Sequence, residues 1–445
     1  MEDEMTSGNS AAARVTRRTV LAAATAWPVR SAFAAPCRTL PFLWGAASSG
    51  YQVEGDERAA DIRILERVPS TLFREPAGLA DDHYRRYRED IALLAWLGFN
   101  SFRFSLEWAR IEPEKGVISR DALAHYRDVL RCCHEHDLVP CVTYSHFANP
   151  AWFAAEGGWE ARDAVDRFLR YCDVTSRALG DLIGIAATFN EPDLHKLLLW
   201  GRPGEPAGKQ AMLSEAARQC GSDRFGYYLS GDPQRVEDRM IAAHRRAIGV
   251  IRSGPGQYPL GVTLAMTDDQ AVGPPGRRDE KRRYVYENWL VAARESADFV
   301  GVQVYTRNLI GPAGIVPTSA SSEKTAMGWE FYPDCVEGAC RYAASVARLP
   351  VVVTENGIAT DDDAQRQRYI RSAVAALERA RRDGVDIRGY YHWSFLDSYE
   401  WSAGYAPHMG LVSVNRAMQA RVPKPSAALL AGLKLPGSVC WKLVR

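Results

Sequence analysis

The sequence predicts a single (β/α)8 barrel. Three observations point there: eight short apolar segments rich in β-branched and aromatic residues, stretches with helical apolar spacing after most of them, and Gly, Pro or polar residues where the segments stop. In chain order the predicted strands are residues 41–48, 101–106, 139–144, 185–189, 260–265, 299–305, 351–354 and 387–393. Segments such as IAATF (185–189) and VVVT (351–354) carry no polar alternation, as expected of parallel strands buried on both faces. Between strands, Ile91, Leu94 and Leu97 fall on one helical face, as do Val165, Phe168, Leu169 and Cys172, each opposite charged residues. Residues 201–208 and 273–283, rich in Gly, Pro or charge, read as loops within the domain. No internal repeat is visible. A doubly wound open sheet is the competing architecture, but no GxGxxG follows the first strand, which leaves a dinucleotide-binding version unsupported.

With 445 residues, 47% of them hydrophobic, the chain has enough apolar material for a large core. Length alone would suggest about three domains, yet one α/β barrel can use most of it. Lys and Arg number 55 against 54 Asp and Glu, so the net charge of +1 offers no electrostatic footing for nucleic acid or an acidic membrane surface. A neutral small molecule fits better as partner. Oligomeric state is not legible.

Residues 1–34 read as an export signal, leaving 35–445 as the barrel domain. The signal has a polar start, Thr16-Arg17-Arg18-Thr19, an apolar stretch from 20 to 29, and Ala32-Phe33-Ala34 as a small-residue cleavage site. The paired arginines resemble the bacterial twin-arginine signal and imply a periplasmic or secreted protein. A disordered tail or an uncleaved anchor is the alternative. No later run is long and apolar enough to cross a membrane. Nine cysteines show no metal-type CxxC pair. In an oxidising compartment Cys335 and Cys340 could bridge, which spacing leaves open; most of the others read as small buried hydrophobes.

Two glutamates stand directly after or at the end of predicted strands: Glu191 in IAATFNEP and Glu355 in PVVVTENG. A carboxylate inside a buried strand would be an uncompensated charge, whereas at the C-terminal rim of a barrel it faces the catalytic mouth. Glycosidic cleavage needs a proton for the departing oxygen and stabilisation of an oxocarbenium-like centre, which two carboxyls in different environments supply. Carboxylates from strands four and seven can face one another across a sugar, with the roughly 5 to 5.5 Å separation of a retaining enzyme. A lone rim glutamate, by contrast, is more often a salt-bridge partner.

TFNEP (188–192) and TENG (354–357) resemble the two signature motifs of family 1 glycoside hydrolases, the β-glucosidase family of clan A. SSGYQVEG (48–55), DHYRRYREDIALLAWLGFNSFRFSLEWARIEP (82–113), DFVGVQVYT (298–306), MGWEFYP (327–333) and YHWSFLDSYEW (391–401) follow in the family's order. The resemblance implies a retaining β-glycosidase without metal or cofactor, acting on an O-linked β-glycoside, with Glu191 as acid/base and Glu355 as nucleophile. It places Arg103 and Tyr305 beside the nucleophile. It assigns Gln52, His146, Asn190, Glu400 and Trp393 or Trp401 to the nonreducing sugar, Asn190 to its 2-hydroxyl, and Trp329 to the leaving group. Where phosphoglycosidases carry serine, Glu400 is expected to repel a 6-phosphate as an anion; where myrosinase-like members carry glutamine, Glu191 is retained.

The chain departs from the family pattern in several places. His146-Phe147-Ala148-Asn149-Pro150 replaces a His-aromatic-Asp-Leu-Pro run, Gln303-Val304 an Asn-Tyr pair, and His408-Met409 an Arg-aromatic pair. Segments 54–83 and the one after Pro192 are short, which implies a shallower entrance. These changes bear on the choice among glucose, galactose and fucose. A transglycosidase would use the same intermediate, and a sugar-binding barrel without turnover the same groove.

Overall fold

In the computed structural model, which describes residues 37–201 and 204–443, eight strands pair in parallel and close on themselves. They are β1 (Leu43–Ala47), β2 (Ser101–Ser105), β3 (Val139–Ser145), β4 (Ile185–Asn190), β5 (Leu260–Ala271), β6 (Phe299–Gly311), β7 (Val351–Asn356) and β8 (Ile387–Trp393). Each predicted strand has its counterpart, and pairing of β1 with β8 and of β5 with β6 completes the ring. The described residues form one compact unit. The predicted signal lies outside the described residues.

Two apolar layers hold the barrel. Outside, helices His83–Trp96 and Ala164–Leu179 bury Ile91 and Leu94, and Phe168, Leu169 and Cys172, against the sheet, with Leu97 and Val165 half-buried at the margins. Each such side chain, fully buried, contributes about 1.5–3 kcal/mol. Inside, Leu43, Cys141, Ile185, Phe299 and Val352 pack together near the strands' N-terminal ends, with Tyr391 of β8 in the same cluster. Strand Ser438–Lys442, antiparallel to Cys37–Pro41, brings in Trp441, which is fully buried with its ring edge-on to Phe299. That end of the barrel is therefore filled, and the opposite end is left for chemistry.

Three expectations are corrected. Residues 273–283 are not a loop throughout: Gly276–Arg282 is helical and continues through a wide turn, Arg283–Glu287, into helix Asn288–Ser296. The reason is tertiary, because Lys281 is buried and donates to Asp269 of β5 at 2.5 Å and to Thr267 at 2.7 Å. Strands β5 and β6 outrun their apolar segments, pairing as far as Ala271 with Ile310 through polar residues that carry no strand signal. Cys335 and Cys340 are free, buried thiols at opposite turns of helix Cys335–Ala347. Five residues of helix advance the chain by about 7.5 Å, which exceeds what a disulfide spans. Cys440, in contrast, is disulfide-bonded. The described part of 201–208 is turn and bend, and no helix among the described residues is long and apolar enough to cross a membrane.

Candidate active site

The site residues singled out from the sequence lie on barrel strands or on the segments that follow them. Arg103 sits in the middle of β2, His146 directly after β3, Asn190 at the end of β4 and Glu191 next to it. Gln303 and Tyr305 project from β6, Glu355 is the last residue but one of β7, and Trp393 ends β8. Gln52 comes from the short helix Gly50–Val53 after β1, Glu400 and Trp401 from the segment after β8, and Trp329 from the segment between β6 and helix Cys335–Ala347.

Glu355 is held by three donors. Arg103 Nη1 donates to Oε1 at 2.5 Å, Gln303 Nε2 to the same oxygen at 2.7 Å, and the Tyr305 hydroxyl to Oε2 at 2.6 Å. Arg103 is wholly buried and its other nitrogen, Nη2, donates to Asn190 Oδ1 at 2.6 Å. Such charge-assisted bonds compensate a desolvated carboxylate. Gly357, two residues on, approaches the Trp393 carbonyl so closely that a Cβ there would meet its oxygen at 2.0 Å. Only glycine lets β7 and β8 end this close together, which explains the glycine of TENG.

Glu191 is built differently. It occupies the left-handed region at φ 45°, a conformation that costs a non-glycine residue about 1–3 kcal/mol and is concentrated at functional sites. Its N–H donates to the Thr263 carbonyl of β5 at 2.8 Å and its carbonyl accepts from Leu194 at 3.1 Å, so the backbone is pinned on both sides. Its carboxyl receives no hydrogen bond from the described residues. Burial and then the charge of Glu355 push Glu191 well above the usual carboxylate range, with Arg103 opposing weakly. Burial also raises Glu355, but the charge of Arg103 and the hydrogen bonds from Tyr305 and Arg103 pull it back. A proton shared by this pair therefore resides on Glu191.

Around the pair lies a polar and aromatic cup. The Gln52 amide is fully buried, accepting from Ser49 Oγ at 2.6 Å and donating to the Tyr399 carbonyl at 2.6 Å. His146 lies near-parallel to both Trp393 and Trp401, with centroids 5.8 and 6.2 Å away. Burial and Arg103 hold its imidazole neutral. Trp401 is flanked further by Tyr51 at 5.9 Å and by Phe147 edge-on at 5.3 Å. Trp329 is half-buried, 5.5 Å from the Tyr305 ring. No group of three or more His, Cys, Asp or Glu among the described residues has metal-holding geometry.

Glu400 corrects an expectation. Burial raises it to about 8, opposed by the Ser398 hydroxyl at 3.1 Å and reinforced by the charge of Glu355, with no cation among its principal neighbours. At neutral pH it is mostly a carboxylic acid, able to donate as well as accept. Because the folded value lies above the roughly 4.3 of an exposed glutamate, ionising this group costs the fold stability as pH rises through about 8. Glu400→Gln should therefore gain melting temperature relative to the parent between about pH 5 and about pH 9. Parallel melting curves across that range would refute the assignment.

A family model described as glycosyl hydrolase family 1 matches residues 38–268 and 293–434. The chain belongs to glycosyl hydrolase family 1. Among solved structures, "Apo structure of a beta-glucosidase 1317" is similar with 47% identity and a TM-score of 0.84, covering 88% of this chain and 98% of that one. Beta-glucosidase A of Thermotoga maritima is 29% identical over 440 residues, covering 86% of this chain and 95% of that protein. A bifunctional beta-D-glucosidase/beta-D-fucosidase of Bifidobacterium breve is 27% identical over 451 residues, covering 86% and 95%. This family 1 glycoside hydrolase also explains its own departures. Asn149 closes a bridge to Asp61, whose Oδ1 accepts from the Asn149 N–H at 3.0 Å while the Asp61 N–H donates to the Asn149 carbonyl at 2.8 Å. The bridge ties down the loop carrying His146 and the left-handed Phe147. Met409 is buried with Trp393, and its carbonyl accepts from the Ser394 N–H at 3.1 Å. Sequence reasoning treated Gln303 only as a departure, although its place two residues before Tyr305 on one strand was a signal that both face inward. Asp61 gave no such signal, since it reaches the loop from a helix of its own.

Proposed function

We propose that this family 1 enzyme is a retaining β-glycosidase acting on O-linked, unphosphorylated β-glucosides or close relatives through a glycosyl–Glu355 intermediate. The observation that carries the reading is the asymmetry of the carboxyl pair: among the described residues, three donors reach Glu355 and none reaches Glu191. In the first step the Glu191 proton passes to the glycosidic oxygen as a Glu355 oxygen bonds to the anomeric carbon, and the aglycone leaves as an alcohol. In the second, ionised Glu191 takes a proton from water, whose oxygen bonds to the same carbon and releases Glu355. Two displacements on opposite faces retain the anomeric configuration. Asn190, Gln52, His146 and Glu400 supply hydrogen bonds to the sugar, with Trp393 and Trp401 as its apolar floor and Trp329 against the aglycone.

The relatives named as β-glucosidases support glucose, and the dual name of the Bifidobacterium breve protein keeps a 6-deoxy sugar within reach. A panel of nitrophenyl β-glycosides ranks the sugars. Treatment with an activated 2-deoxy-2-fluoro-β-glucoside, which slows both steps, should leave a glycosyl group on the peptide containing Glu355. Inverted product, or a label on another residue, would sink the mechanism.

We also propose export of the chain by residues 1–34 to an oxidising compartment. The Arg17-Arg18 pair, the apolar stretch after it and the disulfide at Cys440 support this reading. Cell fractionation of the full chain beside the Arg17→Lys/Arg18→Lys variant checks it, retention of the parent in the cytoplasm being the adverse result.

A further inference from the structure

The amide of Gln303 bridges the two halves of the carboxyl site. It is 1% exposed and lies opposite Glu355 in the β6–β7 register. Its Nε2 donates to Glu355 Oε1 at 2.7 Å and to Asn190 Oδ1 at 2.8 Å. The orientations of both amides follow from donor chemistry. Arg103 has no acceptor, so the Asn190 atom 2.6 Å from its Nη2 must be the oxygen. With a carboxylate oxygen and an amide oxygen both facing Gln303, its nitrogen must point at them. Asn190 Oδ1 is thereby saturated by Arg103 and Gln303, with Thr263 Oγ1 a further 3.4 Å away. The Asn190 nitrogen, which has no acceptor among the described residues, is left open to the cleft.

We infer that Gln303 is a positioning residue which locks the Asn190 amide so that its nitrogen faces the sugar hydroxyl next to the reacting carbon, while also anchoring one oxygen of the Glu355 carboxylate. The inference rests on the mechanism proposed above and deepens it. Arg103 supplies the charge and Gln303 supplies direction: a guanidinium alone joins Asn190 and Glu355 along one edge, and the second bridge closes a ring that fixes the amide plane. Loss of the bridge should weaken the contact to the 2-hydroxyl, a contact made mainly in the transition state.

The test pairs variants with substrates. kcat/KM is measured for an aryl β-glucoside and its 2-deoxy counterpart with the parent enzyme, Gln303→Leu and Gln303→Glu, the last keeping the shape should the leucine variant fail to fold. The parent should lose about 10²–10³-fold on removal of the 2-hydroxyl. In the variants that ratio should shrink by roughly threefold to tenfold, the worth of one directed hydrogen bond. The acid limb of the Gln303→Leu profile should also move to higher pH, because a donor to the ionised nucleophile is gone. An equal loss on both substrates, leaving the ratio unchanged, overturns the inference. Full activity in Glu355→Gln would instead overturn the mechanism beneath it, so the two failures are told apart.

Discussion

Glu355→Gln should lower turnover of an activated aryl β-glucoside by about 10⁴-fold or more, since an amide oxygen does not form the glycosyl ester that the first step requires. The size of the effect follows from the site's design. Arg103, Tyr305 and Gln303 converge on this one carboxylate within 2.5–2.7 Å, and among the described residues no other carboxylate shares that set of donors. Substitution also leaves Arg103, wholly buried, without its counter-charge. Breaking such a pair costs about 3–5 kcal/mol, so a lowered melting temperature should accompany the loss of activity. Both readings come from one purified variant, a thermal melt and a nitrophenol assay at saturating substrate. Residual activity within about tenfold of the parent in a folded variant would end the proposal.

Glu191→Gln should behave in a way that depends on the leaving group. An aglycone that departs as a stable anion needs no proton, so its glycosylation step should fall only modestly. One that departs as an alkoxide should slow by about 10²–10⁴-fold, the usual worth of a positioned general acid. Deglycosylation needs Glu191 as base in every case, so the intermediate on Glu355 should accumulate and appear as a burst of nitrophenol. An added anionic nucleophile such as azide, which needs no base, should restore turnover. The basic limb of the kcat/KM profile, set by a carboxyl that burial and Glu355 push upward, should disappear. Equal loss across leaving groups, or a surviving basic limb, would remove Glu191 from the acid/base role.

Much of the barrel was legible because a parallel strand between two apolar layers has nothing polar to carry, and IAATF and VVVT show this directly. The polar tails of β5 and β6, and helix Gly276–Arg282, were not. Their stability comes from buried partners such as Lys281 and Asp269, 12 residues apart, which composition reads as solvent-exposed loop. The same contrast runs through the site. Position at the rim followed from the strand ends, whereas the Asp61–Asn149 bridge joins residues 88 apart that no local pattern links. Gln303 was visible as a residue but not as a bridge.

The sequence by itself determined the barrel, the placing of Glu191 and Glu355 at its mouth, and the chemistry that two such carboxylates can perform. Tertiary structure decided which of them holds the proton, and that Glu400 is mostly protonated at neutral pH. It also chose the bond that Asn190 is free to make. The physical reason is that protonation and amide orientation depend on burial and on donors brought from elsewhere in the chain. Arg103 reaches Glu355 across 252 residues of sequence, and only closure of the barrel puts its nitrogen 2.5 Å from the carboxylate.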